Sequence, residues 1–70
     1  MKYDHGDLVK DKITGCEGII TAITTFITGC IHYHIQPKTQ PNGYTPDIQK
    51  FDESRLILIE KKVIDKRDLK

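Results

Sequence analysis

The sequence has no tryptophan, and it contains only two cysteines, two phenylalanines and three tyrosines among its 70 residues. It also has no apolar run approaching the roughly 20 residues of a membrane-spanning helix. The first ten residues, MKYDHGDLVK, have no apolar core behind the lysine, so we expect no signal peptide and a cytoplasmic protein. In a reducing compartment Cys16 and Cys30 are expected to be free thiols.

Strong charge of either sign is also missing, because eleven Lys or Arg residues face ten Asp or Glu residues. Affinity for phosphate backbones comes from clustered basic residues, which here occur in the segment 60–70, EKKVIDKRDLK. Binding to DNA or RNA is therefore a weak alternative, and attraction to an anionic membrane is not expected. A chain this short is one small domain of marginal stability, which favours self-association into a homo-oligomer.

Isoleucine supplies much of the apolar content, and β-branched side chains favour strands. The segments GDLVKDKITG, GIITAITTFI (18–27), CIHYHIQ (30–36), IQKF (48–51) and RLILI (55–59) are predicted strands. A bend is predicted around Cys16, where 14–15 and 17–18 each supply a glycine, a two-residue turn at 28–29, and a proline-rich loop at 37–47. In DESRL, Asp52 or Ser54 is placed to cap a single helical turn, and Asp52 or Glu53 to pair with Arg55.

The pattern predicts an all-β fold, a small five-stranded antiparallel barrel of the SH3-like type. A short 3₁₀ turn should precede the last strand. Residues 1–59 would form this barrel, and residues 60–70 would form a charged C-terminal tail that is either flexible or a short helix. Within CIHYHIQ, strict alternation predicts that Ile31, Tyr33 and Ile35 point into the core.

The same alternation places Cys30, His32 and His34 on the opposite, polar face of the strand. Imidazole and thiolate are zinc ligands, but a four-coordinate site needs a further ligand, and neither Cys16 nor His5 has a recognisable ligand spacing. Nucleophilic catalysis by Cys30 would need a histidine that an acid orients, and no acid is placed to do so. We therefore expect no metal, no cofactor and no enzymatic activity.

Three segments in this order, GDLVKDKITGCEGIITA, GCIHYHIQPK and FDESRL, resemble a group of short proteins from phages, prophages and gene cassettes. The resemblance covers Gly6 to Leu58. It implies an SH3-like fold and an accessory protein of a mobile element that acts by binding: such proteins sequester a host signal, occupy a host protein or assemble into rings. It supplies no catalytic residue.

The residue pattern favours a non-enzymatic binding protein, and the resemblance to mobile-element proteins implies that its target is a small anionic, nucleotide-type host defence signal, which it would sequester. The predicted ligand-binding residues are His32, His34, Lys38 and Tyr44, with Tyr44 stacking on a base and the others holding phosphates. Three alternatives stay open. The polar face has no role, Tyr44 packs back on the barrel as a lid, or the Tyr44 loop docks onto a host protein and blocks it.

Overall fold

The structure, a computed structural model, describes residues 2–64. It contains five strands and one short helical turn: β1 (Leu8–Asp11), β2 (Glu17–Thr25), β3 (Ile31–Pro37), β4 (Gln49–Asp52), a 3₁₀ turn (Glu53–Arg55) and β5 (Leu56–Glu60). The predicted all-β class and the 3₁₀ turn before the last strand are confirmed. No described helix is long and apolar enough to cross a membrane.

The strands form one antiparallel sheet in the order β4-β3-β2-β1-β5. Among residues 2–64 no hydrogen-bonded ladder joins β4 to β5, so the prediction of a closed barrel is wrong. The reason lies in the link between these strands, because a 3₁₀ turn redirects the chain without reversing it onto itself. This link spans at most about 14 Å from Asp52 to Leu56, so the end of β4 and the start of β5 stay near each other although the two strands do not pair.

The bend in the sheet comes mainly from β2, whose register against β3 shifts between Ile20 and Ala22. Such a bulge increases the local twist of a strand. Gly18, earlier in β2, lies so close to β3 that a Cβ atom there would be 2.5 Å from the carbonyl oxygen of Gln36. The long β-branched run is therefore one curved strand, which is one of the two forms its sequence allows.

The hairpin between β2 and β3 has a longer turn than predicted. The Gly29 N–H donates to the Phe26 carbonyl (2.9 Å), and the Phe26 N–H donates to the Cys30 carbonyl (3.0 Å). Gly29 has φ of +96°, as in a three-residue loop that ends in a glycine bulge. Cys30 closes this loop by accepting the Phe26 N–H, and β3 begins at Ile31, so Cys30 lies just outside the strand to which it was assigned.

The core lies on the concave side of the sheet. Its buried members are Val9, Ile20, Tyr33, Ile35, Phe51 and Leu56, with Tyr3, Cys16, Ile23 and Ile31 packed against them. Tyr33 and Ile35 are fully buried, and Ile31 contacts the cluster, which confirms the inward face predicted for β3. Each fully buried aliphatic side chain of this kind contributes roughly 1.5–3 kcal/mol.

An ion pair between the buried Asp11 and the partly exposed Arg55 connects β1 to the 3₁₀ turn. The Arg55 guanidinium donates to both carboxylate oxygens of Asp11 at 2.9 Å, and the Thr14 N–H donates to the same carboxylate at 2.8 Å. The hydrogen bonds from Arg55 hold the pKa of Asp11 well below its usual range. Arg55 thus pairs with Asp11 and not with Asp52 or Glu53, whereas Asp52 is the cap of the turn and accepts from the Ser54 N–H at 3.1 Å.

A second polar cluster joins the N-terminal segment to the core. The buried Tyr33 hydroxyl donates to Glu53 (2.5 Å) and accepts from the Tyr3 N–H (3.3 Å), while the Tyr3 hydroxyl donates to the Leu56 carbonyl (2.8 Å). Burial, reinforced by the Glu53 carboxylate, raises the pKa of Tyr33 to about 12. The hydrogen bond from Tyr33 lowers the pKa of Glu53.

The first residues of the predicted tail return to the body of the sheet. The Lys62 N–H donates to Asp7 (3.0 Å), and the Ile64 N–H donates to the Gly6 carbonyl (3.2 Å). The Lys62 ammonium also contacts Asp4 at 2.6 Å. Residues 61–64 form a turn and a bend, not the helix that was one of the two predicted forms, and residues 65–70 lie outside the described part of the chain.

Candidate functional site

The polar side of β2, β3 and β4 gathers most of the chemistry-bearing side chains on one exposed surface. We call it the histidine face and define it by Thr24, Phe26, His32, His34, Lys50 and Asp52. The sheet register sets these neighbours: His32 lies opposite Thr24 and Asp52, and His34 lies opposite Lys50. Directly opposite residues of antiparallel strands share a face and can interact.

His34 is the centre of the basic part of this face. Its Nε2 atom lies 3.0 Å from the Thr24 hydroxyl, which fixes the orientation of the ring. The Lys50 ammonium is carried by the exposed β4 strand directly across from His34. Among the described residues, the ion pairs do not include Lys50. The hydrogen bond between Thr24 and His34 uses the proton of one of these two groups, so a neutral His34 and Thr24 together offer one further donor to an anion, and Lys50 across the β3–β4 ladder offers an ammonium group.

His32 has different neighbours. Its Nε2 atom lies 3.9 Å from the Asp52 carboxylate, and its ring makes an edge-to-face contact with Phe26 at 5.0 Å between centroids. The Ser54 hydroxyl and N–H lower the pKa of Asp52, and His32 adds a smaller effect in the same direction. Phe26 itself is 45% exposed, so an aromatic surface remains open beside the histidine.

Cys30 and the two histidines are the residues that nucleophilic catalysis or a metal site would use. An acid does lie beside His32, contrary to the sequence-based expectation, but within residues 2–64 Cys30 makes no side-chain hydrogen bond to either histidine of the face. Both cysteines are free thiols, and burial raises the pKa of Cys16. No group of three or more histidine, cysteine or acidic side chains in the described region is placed to hold a metal ion.

The other two predicted ligand-binding residues lie elsewhere. Lys38 lines a groove of about 590 Å³ together with Glu17, Gln49 and Phe51 among others. Lys38 is four residues after His34 in the sequence, so along an extended chain the two Cα atoms are about 13 Å apart. The Tyr44 side chain is 57% exposed on the 38–48 loop, so it is not a lid on the core. The Asn42 side chain accepts from its N–H at 3.0 Å, which orders the loop tip.

Sequence reasoning missed three members of the histidine face: Thr24, Phe26 and Lys50. A signal for two of them was present, because Thr24 and Phe26 are two residues apart at the end of β2 and face the same way in an extended chain. Lys50 carried no such signal. Its position opposite His34 depends on the β3–β4 register, which the long intervening loop hides from the sequence.

Two further grooves can be described. One, of about 480 Å³, is mostly apolar and is lined by His5, Gly6, Ile19, Ile20, Thr21, Gln36 and Ile64. The other, of about 410 Å³, lies beside the hairpin turn and the 3₁₀ turn and includes Cys30, Asp52 and Glu53. No protein-family model matches this chain, and no curated protein and no solved structure is significantly similar to it.

Proposed function

We propose that this protein is a non-enzymatic binding protein that captures a small anionic, nucleotide-type ligand on the histidine face. In this proposal His34, Lys50 and Thr24 hold the phosphate, and the exposed ring of Phe26 stacks on the base. The supporting observation is the register that places Lys50 directly across from His34 on the strand next to Phe26 and Thr24. Stacking of a base on an aromatic ring contributes roughly 1–3 kcal/mol.

The biological setting follows from the resemblance to SH3-like proteins of phages and mobile elements. A binding protein of that kind acts by sequestration, which requires affinity and abundance but no turnover. The ligand would be a host defence signal, and the protein would work as a homo-oligomer. The strand order and the 3₁₀ turn before the last strand support the SH3-like part of the proposal.

A thermal-shift assay with cyclic mono- and dinucleotides tests the ligand class. A nucleotide present at 100 times its Kd stabilises the folded state by about 2.7 kcal/mol, a shift that the assay resolves easily for a domain of this size. We expect at least one nucleotide to raise the melting temperature of the wild-type protein. If none does so up to millimolar concentration, the nucleotide proposal is wrong.

Calorimetric titration of the stabilising nucleotide then tests the site. Lys50→Ala and Phe26→Leu should each weaken binding roughly tenfold, equivalent to about 1.4 kcal/mol. Lys38→Ala is the matched control, because it removes an exposed lysine that lies in a different groove. Loss of binding in Lys38→Ala with retention in Lys50→Ala would assign the ligand to that other groove.

The exposed ring of Tyr44 favours a second candidate function, docking onto a host protein. Tyrosine is enriched at protein interfaces because it combines a rigid apolar ring with a polar tip. A pull-down from host lysate should then recover a partner with wild type and with Phe26→Leu, but not with Tyr44→Ala. Equal recovery by Tyr44→Ala would exclude this loop as the docking element.

A further inference from the structure

The two edges of the open sheet differ in chemistry. β4 presents Gln49 and Lys50 to solvent, and lysine on an edge strand is a common device against unwanted pairing. β5 presents three consecutive apolar side chains instead, because Ile57, Leu58 and Ile59 are 45%, 37% and 44% exposed. This part of the edge carries no charged side chain, although the register against β1 shifts after Leu58.

The hydrogen-bond pattern shows which backbone groups of β5 are open. The Lys12 N–H donates to the Arg55 carbonyl (2.8 Å), so in the β1–β5 register Ile57, opposite Lys10, bonds toward β1. This regular alternation reaches Leu58, after which the register shifts and Ile59 is the extra residue of a bulge. Alternation then turns the N–H and C=O groups of Leu56 and Leu58 toward the open edge. Those of Leu56 are already used, by Glu53 and by the Tyr3 hydroxyl. The N–H and C=O of Leu58, which lies opposite Val9, would then point away from β1, and no described turn or loop bonds to them.

These groups match those of a second copy of the same strand. In an antiparallel pair related by a two-fold axis at Leu58, the two Leu58 residues exchange both of their N–H···O=C bonds. Ile57 of each copy then lies next to Ile59 of the other, the bulged residue of β5, and both side chains are β-branched and apolar. This register keeps the two Glu60 carboxylates apart, whereas a slip of two residues per strand would place them opposite each other.

The geometry points to a symmetric dimer in which β5 pairs with β5 of a second copy and the two sheets become one ten-stranded sheet. The two-fold axis uses the apolar edge of both copies at once. The edges left over are the two β4 strands, which carry Lys50, so growth stops at the dimer. The Tyr3 hydroxyl, bonded to Leu56, limits the pairing at the other end of the strand.

The contact area sets the strength of this dimer. A short strand pair buries less than the roughly 1,200–2,000 Å² of stable interfaces, so association should depend on concentration over a micromolar to millimolar range. In sedimentation equilibrium between about 10 μM and 1 mM, we expect the mean mass to rise from 8.0 kDa toward twice that value. Ile59→Lys should weaken association at least tenfold, because it puts a cation against the partner's apolar strand.

Ile13→Lys is the matched control, since Ile13 is 74% exposed in the turn after β1 and takes no part in the edge. It should associate like the wild-type protein. A wild-type protein that stays monomeric throughout the range, or an Ile59→Lys variant that associates equally well, would overturn the inference. So would a monomer that pairs instead with an added strand-forming peptide, because the edge would then serve a foreign strand.

Cross-linking tests the register independently of affinity. In a background with Cys16→Ser and Cys30→Ser, oxidation of Leu58→Cys should give a disulfide-linked dimer, because directly opposite Cα atoms about 5.5 Å apart suit a disulfide. Ile57→Cys should cross-link at least tenfold more slowly, since the two-fold axis does not place Ile57 opposite itself. Equal rates for the two variants would refute this register. Both measurements are made without nucleotide, so their outcome is separate from that of the ligand proposal.

Discussion

The Arg55 guanidinium donates two parallel hydrogen bonds of 2.9 Å each to the Asp11 carboxylate, and the two residues are 44 positions apart in the sequence. Asp11 is fully buried in β1, and Arg55 ends the 3₁₀ turn, so this ion pair fixes where the chain enters its last strand. The Arg55 side chain also lies 5.1 Å above the Phe51 ring, a favourable cation–π distance. The position of the open β5 edge therefore depends on a contact between distant parts of the chain.

The ion pair predicts a loss of stability in acid. The unfolded carboxyl of Asp11, with a pKa near 3.9, binds a proton more readily than the folded one, whose pKa is lower. The contribution of Asp11 is therefore complete above about pH 5 and is lost as the pH falls below about 4. Urea midpoints measured from pH 2 to 7 should fall steeply in acid for the wild type and less steeply for Asp11→Asn.

Asp52→Asn is the comparison for this acid experiment. The pKa of Asp52 is also lowered, by Ser54 above all, but its side chain is partly exposed at the cap of the turn. The Asp52→Asn substitution should therefore reduce the fall of the urea midpoint in acid less than Asp11→Asn does. Parallel curves for the wild type and Asp11→Asn would show that this ion pair does not govern the acid stability.

Tyr33 predicts a second loss of stability, in alkali. Its folded pKa of about 12 lies above the unfolded value near 10, so the unfolded state loses its proton first as the pH rises. The contribution is complete below about pH 10 and is lost between about pH 10 and 12. Tyr33→Phe should flatten this decline and cost about 1–3 kcal/mol at pH 7, because Glu53 loses a buried donor.

Tyr44→Phe controls for the alkaline experiment, since its ring is exposed on the loop and its hydroxyl has no partner in the described structure. Its urea midpoint at pH 7 should equal that of the wild type. An alkaline slope that Tyr33→Phe leaves unchanged would locate the sensitive group elsewhere.

Substitution of Gly6 tests how much the contact with residues 61–64 contributes to the free energy of unfolding. Gly6 has φ of +89°, and a Cβ atom there would collide with the Ile64 carbonyl oxygen. Gly15 has a similar φ of +78° but open space around it. Gly15→Ala should cost about 1–2 kcal/mol from backbone strain alone, and Gly6→Ala should cost more because Ile64 must move. Equal losses in urea denaturation would mean that the Ile64 contact contributes nothing.

Truncation of Ile35 measures how much the inner face of β3 contributes to the free energy of unfolding. Ile35→Ala leaves a cavity in the core and should cost about 2–5 kcal/mol, while Ile35→Val should cost about 0.5–1.5 kcal/mol. The exposed Ile13 provides the control, because Ile13→Ala should stay within about 0.5 kcal/mol of the wild type. A small loss for Ile35→Ala would contradict the placement of this residue in the core.

The sequence by itself determined the strand content and the inner face of β3. Alternation of Ile31, Tyr33 and Ile35 with polar residues is a local property, and only one side of such a strand can be buried without loss of apolar contacts. The cap at Asp52 is equally local, because its carboxylate binds an N–H group two residues further along the chain. These features were predictable because their partners are near neighbours in sequence.

Only the tertiary structure decided which distant residues meet. The type of hairpin turn excluded Cys30 from β3, and the β3–β4 register placed Lys50 beside His34 across a loop that carries no register signal. The pairing of β5 with β1, secured by Arg55 and Asp11, left the sheet open and exposed the Leu58 edge. Such contacts depend on how whole strands align. The free energy that favours one alignment comes from the packed core and from the Arg55–Asp11 ion pair, and no short stretch of sequence contains both partners.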